Sequence, residues 1–225
     1  QVSPSSTNPE YTLSYANLTP KGNHSAYRVV PNDIQQGRVL AKWLITHNAK
    51  RVALLDDSTQ YGHNLAEYIN TDLKQNNISV VINESLTDKT TDFEYILTEI
   101  RNAQVDYIFW GGMDDTGAAL AKQIKVLDLK AQLLSGDGLC YFKFIELAGK
   151  AAEGTVCAHG DGPLSALPRG EWFGKHFKQN TGRSVQIYAP YAYDAVYAIV
   201  EAMKIAQSTE REAIAAAMPR VDFEG

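Results

Sequence analysis

Cysteine is scarce in this chain of 225 residues, which has two, Cys140 and Cys157. Their spacing matches no zinc or redox motif, so buried thiols, one disulfide and a chance pair all stay open. No apolar run approaches the roughly 18 residues that a membrane span requires. The most apolar helical stretch, 189–206, is interrupted by Asp194, Glu201 and Lys204. Positive charge is short as well. The 21 Lys and Arg against 26 Asp and Glu leave a net charge of -5, the opposite of the basic face that nucleic acid attracts. The chain opens on Gln1 without a signal-peptide pattern, as a processed or trimmed protein would.

Catalytic signatures are missing too. There is no Gly-x-Ser-x-Gly elbow, Walker loop, Gly-x-Gly-x-x-Gly or Cys-x-x-Cys. The histidines (His24, His47, His63, His159, His176) are scattered at no ligand spacing and read as solvated or core residues. The pairs Asp56-Asp57 and Asp114-Asp115 follow expected strands, where a magnesium-dependent phosphotransfer site could sit. Helix capping and the helix dipole account for them without metal, so no cofactor is expected.

What the chain does have is a repeating pattern. Val52 to Leu55 is a short, continuous apolar run, the mark of a strand buried on both faces. Leu65, Tyr68, Ile69 and Leu73 follow at helical spacing, with Asn64 the expected cap and Tyr61-Gly62 in the loop between. Further strands are expected at 78–82, 106–110, 132–134 and 155–158. Their starts recur about every 26 residues, one strand plus one crossover helix. Such βαβ units imply an α/β fold with a parallel, doubly wound sheet. Before them, 1–26 reads as loop, Tyr27 to Val30 as a short strand, and a helix begins at 31–33 with Ile34, Val39, Leu40, Trp43 and Leu44 on one face. The repeat stops at the Gly- and Pro-rich stretch 160–169, where a change of domain is expected. Beyond it come a helix from Trp172, an extended segment 184–188 and a long helix 191–206.

Ligands bind open α/β sheets at the carboxyl ends of the strands, where Thr7, Tyr61, Met113 and Asp137 are expected. An aromatic and apolar wall with one carboxylate and one hydroxyl suits a small zwitterion bearing a hydrophobic side chain. Asp137, between Gly136 and Gly138, reads equally well as a turn residue.

Several stretches carry a resemblance over essentially the whole chain. They are Val2-Ser3-Pro4-Ser5-Ser6-Thr7-Asn8-Pro9-Glu10, Gln60-Tyr61-Gly62, Asp106-Tyr107-Ile108-Phe109-Trp110-Gly111-Gly112, Gly136-Asp137-Gly138 and Phe144-Ile145-Glu146-Leu147-Ala148-Gly149. In that order they resemble the leucine/isoleucine/valine-binding family of periplasmic solute receptors, which feed branched-chain amino acid ABC importers. The resemblance implies a type I periplasmic-binding fold: two doubly wound parallel-sheet lobes joined by a hinge, closing on the ligand without catalysis. By this reading lobe 2 is 32–158 and looks whole. Lobe 1 is represented only by 1–31 and 159–225 and is incomplete.

By position, the resemblance gives the backbone near Ser5 and the side chain of Thr7 to the ligand's carboxylate and ammonium. It gives Tyr61 a closing role, Asp137 the ammonium, and Tyr188 an aromatic place on the lobe 1 side. Met113 departs from the family, which often has an aromatic after the two glycines. The implied partners are a hydrophobic, branched-chain amino acid and a membrane permease, with no nucleic acid and no direct membrane insertion. The implied place is the periplasm, or a lipoprotein at the outer surface in a Gram-positive cell. An oxidising periplasm permits a bridge between Cys140 and Cys157, which a short crossover between parallel strands would bring within reach. Two rival readings remain. One is a signalling ectodomain of the same fold, using the sequons at Asn17, Asn23, Asn77 and Asn83. The other is a magnesium-dependent enzyme using Asp56 or Asp114.

Overall fold

The structure is a computed structural model that describes residues 1–14, 18–160 and 162–224. The sequon at Asn17 and the final Gly225 lie outside the described residues. The chain forms two compact units, Gln1–Asn32 with Gly160–Gly225, and Asp33–His159.

The second unit is built on a parallel sheet of β3 (Arg51–Asp56), β4 (Ser79–Ser85), β5 (Tyr107–Gly111), β6 (Gln132–Ser135) and β7 (Val156–Cys157), in the order β4-β3-β5-β6-β7. Successive side chains on a strand point to opposite faces, and here both faces are dry. Ala53, Leu55, Ile108 and Trp110 pack on one side with Phe93, Ile96, Leu97 and Ile100 around α4 (Glu94–Asn102), and with Leu120 and Ile124 of α5 (Asp114–Val126). Val52, Leu54, Phe109 and Leu134 pack on the other with Leu40 and Leu44 of α2 (Asp33–Thr46), and with Leu65, Ile69 and Leu73 of α3 (Gln60–Gln75). Helices cover both faces, and the connections make the sheet doubly wound. A disulfide joins Cys140, just after β6, to Cys157 in β7, with Cα atoms 5.7 Å apart.

Two local expectations differ from the structure. The buried face of α2 is Asp33, Gln36, Gly37, Leu40, Ala41 and Leu44, while Val39 is 59% exposed. Gly37 lies where α2 comes close to α3: a Cβ there would stand 2.8 Å from that of Tyr68. The α3 cap is Thr59 rather than Asn64: its hydroxyl accepts the Gly62 N–H at 3.1 Å. Helix α3 therefore starts earlier than its apolar spacing predicts, and Tyr61 rides in its first turn instead of in a loop.

The first unit pairs β1 (Val2–Ser3) in parallel with β2 (Tyr27–Arg28). It also holds the one-turn α1 (Glu10–Leu13), α7 (Gly170–Thr181), α8 (Ala189–Ala206) and α9 (Arg211–Ala217). Residues 1–26 are thus not all loop. The stretch 184–188 forms no strand and turns directly into α8. Small side chains let the helices come close: Ala198, Ala202, Ala217 and Met218 form the cluster on which Val2 and Tyr27 rest. No helix among the described residues is long and apolar enough to cross a membrane.

Candidate functional site

The carboxyl ends of β3, β5 and β6 meet with backbone against backbone. A Cβ on Gly62 would stand 2.1 Å from the Gly111 carbonyl oxygen, and one on Gly138 would stand 2.3 Å from that of Gly112. Only glycine permits this approach. The loop after β3 is held from within. Asp57 accepts the Thr59 N–H at 3.0 Å and the Thr59 hydroxyl, while burial pushes its carboxyl above the usual range against those bonds. Asp56 accepts from the Ser58 N–H and the Ser85 hydroxyl, each at 2.8 Å. Asp114 lies 3.5 Å from the Lys143 ammonium, and Asp115 accepts the Thr116 N–H. These acidic residues build loops and helix starts. Among the described residues no cluster of His, Cys, Asp or Glu could hold a metal ion.

Asp137 opens the 3-10 turn Asp137–Leu139 after β6. It is not the unshielded residue that flanking glycines suggest, being 3% exposed. The Tyr61 hydroxyl donates to its Oδ1 at 2.7 Å and accepts the Gly138 N–H at 3.1 Å. Burial holds the Tyr61 phenol well above its ordinary pKa, with the Asp137 charge and hydrogen bond adding to it. Tyr61 therefore remains a donor. The residue as a whole is half-buried, and its hydroxyl is the desolvated end. Gln36 of α2 accepts the Asp137 N–H at 3.3 Å. Gly136 has an ordinary φ of -75° and is needed for space. A Cβ there would meet Gln36 Oε1 at 2.2 Å and Tyr61 Oη at 2.5 Å. Met113 precedes α5, is 48% exposed, and keeps its sulfur beside Gly138. The structure thus gathers Tyr61, Asp137 and, through Gly138, Met113.

Ser5, Thr7 and Tyr188 belong to the other unit. Ser5 is exposed and Thr7 buried. The Ser3 hydroxyl accepts the N–H groups of Ser5 at 3.3 Å and Ser6 at 2.9 Å. The Arg28 guanidinium donates to the carbonyls of Ser6 and Pro9 and to the Thr12 hydroxyl, at 2.9–3.1 Å. Tyr188 is half-buried before α8, with its ring 6.2 Å from that of Tyr191. Sequence reasoning missed Gln36 and Arg28. The available signals were two polar residues, Asp33 and Gln36, one turn apart on an apolar helix face, and a lone arginine in a short strand beside a Pro-containing polar loop.

Residues 5–225 match the family described as periplasmic binding protein. The chain belongs to that family. It is 29% identical over 219 residues to the Leu/Ile/Val-binding protein homolog 1 of Brucella suis, covering 97% of this chain and 57% of that protein. Against the leucine-specific-binding protein of Salmonella typhimurium it is 30% identical over 156 residues, 69% of this chain and 40% of the other. A leucine-binding protein of Thermotoga maritima superposes with a TM-score of 0.86 at 26% identity, over 96% of this chain and 60% of that one. A substrate-binding protein of Streptococcus pneumoniae in complex with isoleucine gives a TM-score of 0.87 at 21% identity, over 100% and 62%, a likeness of fold alone. The fold is that of type I periplasmic binding proteins, and these relatives are solute-binding proteins, not enzymes. The chain spans 57% of the length of the Brucella relative.

Proposed function

We propose that the protein is an extracytoplasmic receptor for a hydrophobic, branched-chain amino acid. Asp33–His159 serves as lobe 2, and the other unit contributes to lobe 1. The observation that carries this reading is the buried Asp137 at the carboxyl end of a parallel strand, held by the Tyr61 hydroxyl at 2.7 Å. A zwitterion taken out of water needs an anion for its ammonium, and Asp137 supplies one. Ser5 and Thr7 face the α-carboxylate and α-amino end, Tyr61 and Tyr188 flank the ligand, and Met113 meets its side chain. An unbranched, polarizable side chain at that place adapts to several apolar shapes. The ligand favours the closed form of the two units by binding it better. The loaded receptor delivers to an ABC permease from the periplasm, or from the outer surface as a lipoprotein. The names of the relatives support the amino acid class.

A thermal-shift screen of the twenty amino acids tests the reading, since a ligand of the native state raises the midpoint with its occupancy. Leucine, isoleucine and valine are expected to raise it. Asp137→Asn is expected to weaken their binding about thirtyfold or more, the cost of leaving one side of a buried charge pair unmatched. No shift with any of the twenty overturns the proposal.

A further inference from the structure

We propose that Gln36 is a positioning residue of the ammonium site: its side-chain carbonyl holds the Asp137 backbone and so sets where the carboxylate stands. The inference rests on the function proposed above. A 3-10 turn leaves its first N–H groups without partners in the turn itself. The N–H of Asp137 finds one in Gln36 Oε1, 101 residues earlier in the chain, at 3.3 Å.

The next N–H, of Gly138, is taken by the Tyr61 hydroxyl, which also grips the Asp137 carboxylate. Two side chains from α2 and α3 therefore hold the backbone and the side chain of one residue. Gln36 is buried on a helix face that also carries Asp33, Gly37, Leu40, Ala41 and Leu44. Burying so flexible a side chain costs more rotamer freedom than burying a leucine or isoleucine would. The absence of a side chain at Gly136 leaves the space to Oε1, which a Cβ there would meet at 2.2 Å. Asp33, one turn earlier and fully buried, adds its charge to the field that keeps Tyr61 protonated. The second unit begins at Asp33, so the first turn of α2 carries both the chain's entry into that unit and this tether.

The test is a double-mutant cycle read by calorimetry with L-leucine. Gln36→Met keeps the volume and removes the acceptor; it is expected to weaken binding up to about tenfold, the upper end of what one hydrogen bond between neutral groups is worth. In an Asp137→Asn background, Gln36→Met is expected to cost little more, since its effect runs through the lost carboxylate. A volume-filling role predicts the reverse: parental affinity for Gln36→Met, and full additivity of any loss with that of Asp137→Asn. Either result overturns the proposal. If Gln36→Met does not fold, Gln36→Asn, one methylene short of reach, takes its place, and parental affinity for it is equally fatal. A parent protein that ignores leucine and all other amino acids overturns the receptor reading itself. A parent that binds while Gln36→Met binds as well overturns only the role of Gln36.

Discussion

The two units hold their candidate site residues by different means. In Asp33–His159 the inner strands β3, β5 and β6 are dry on both faces, and Val52, Leu54, Leu55, Ile108 and Trp110 have no exposed surface. Tyr61, Met113 and Asp137 stand on the ends of that sheet, where glycines bring loop backbones into contact. In the other unit the described strands β1 and β2 are two residues each, and the cluster behind them is largely alanine. Its Ser5 to Thr12 segment is instead tied by polar bonds from Ser3 and Arg28. Apolar packing is non-directional and places a side chain only through the backbone it fixes. A guanidinium fork places a segment directly, by the geometry of its donors.

The sharpest way to break this contrast is to push the glycine contacts apart. Gly62→Ala would drive a methyl into the Gly111 carbonyl oxygen, 2.1 Å away, and the Asp57 carboxylate, 2.5 Å away, the nearer of the two being backbone. It is expected to lower stability by about 3 kcal/mol or more. Hydrogen exchange is expected to show the loss in β3 and β5 and not in β1 and β2. Loss spread evenly over both units would mean that they do not differ as argued.

Removing the disulfide is expected to cost slightly less. Cys140 and Cys157 close a loop with a sequence separation of 17, worth about 2–3 kcal/mol in the chain-entropy account. Denaturant unfolding of the Cys140→Ser/Cys157→Ser double variant measures it. Since β7 pairs with β6 over only Leu134↔Val156 and Ser135↔Cys157, the loosened region is expected to be β7 and the turn at Asp137. An unchanged midpoint would mean that the sheet holds β7 without the bridge.

Arg28→Ala is expected to act in the other unit alone. It removes three donors from the Ser6, Pro9 and Thr12 acceptors, for about 1.5–2 kcal/mol. Proteolysis is expected to become faster within 5–14, while exchange in β3 to β6 stays put. Arg28→Lys, a point charge without the fork, is expected to recover little of the loss. Full recovery would make charge, not geometry, the tether.

The sheet was legible because strands dry on both faces write themselves as short apolar runs at a regular interval, as Val52 to Leu55 does. The carboxyl-edge positions of Tyr61, Met113 and Asp137 follow from that order. What the pattern hides is polar and long-range. Thr59 caps α3 because Asp57 orients the loop before it, a contact invisible to helical periodicity, so the helix start is misplaced by several residues. Asp33 and Gln36 look like the wet side of α2, yet they are its buried first turn. Gln36 acquires its role only from Asp137, 101 positions away. In the first unit, β1 is too short to show an alternation at all, whereas β2 falls where the strand at Tyr27 to Val30 is expected.

The smallest expected effect probes the dry side of the comparison at a single proton. Burial, then the Asp137 charge and the hydrogen bond to it, raise the Tyr61 phenol well above 10.0. Below about pH 10 the phenol is protonated in folded and unfolded chains alike, so it leaves stability independent of pH. Above that the unfolded chain releases a proton that the folded one keeps. Stability then falls as pH rises, until the folded pKa is passed. Tyr61→Phe is expected to flatten that part of the profile. In the native protein it is also expected to leave the tyrosinate absorbance near pH 10 unchanged, because Tyr61, one of 12 tyrosines, has not begun to ionise. Asp137→Asn removes the charge but neither the burial nor an acceptor oxygen for the hydroxyl, so Tyr61 is expected to titrate earlier there and still above its ordinary value. A native tyrosinate signal at pH 10 that disappears in Tyr61→Phe would place this hydroxyl in water, and the Asp137 carboxylate with it.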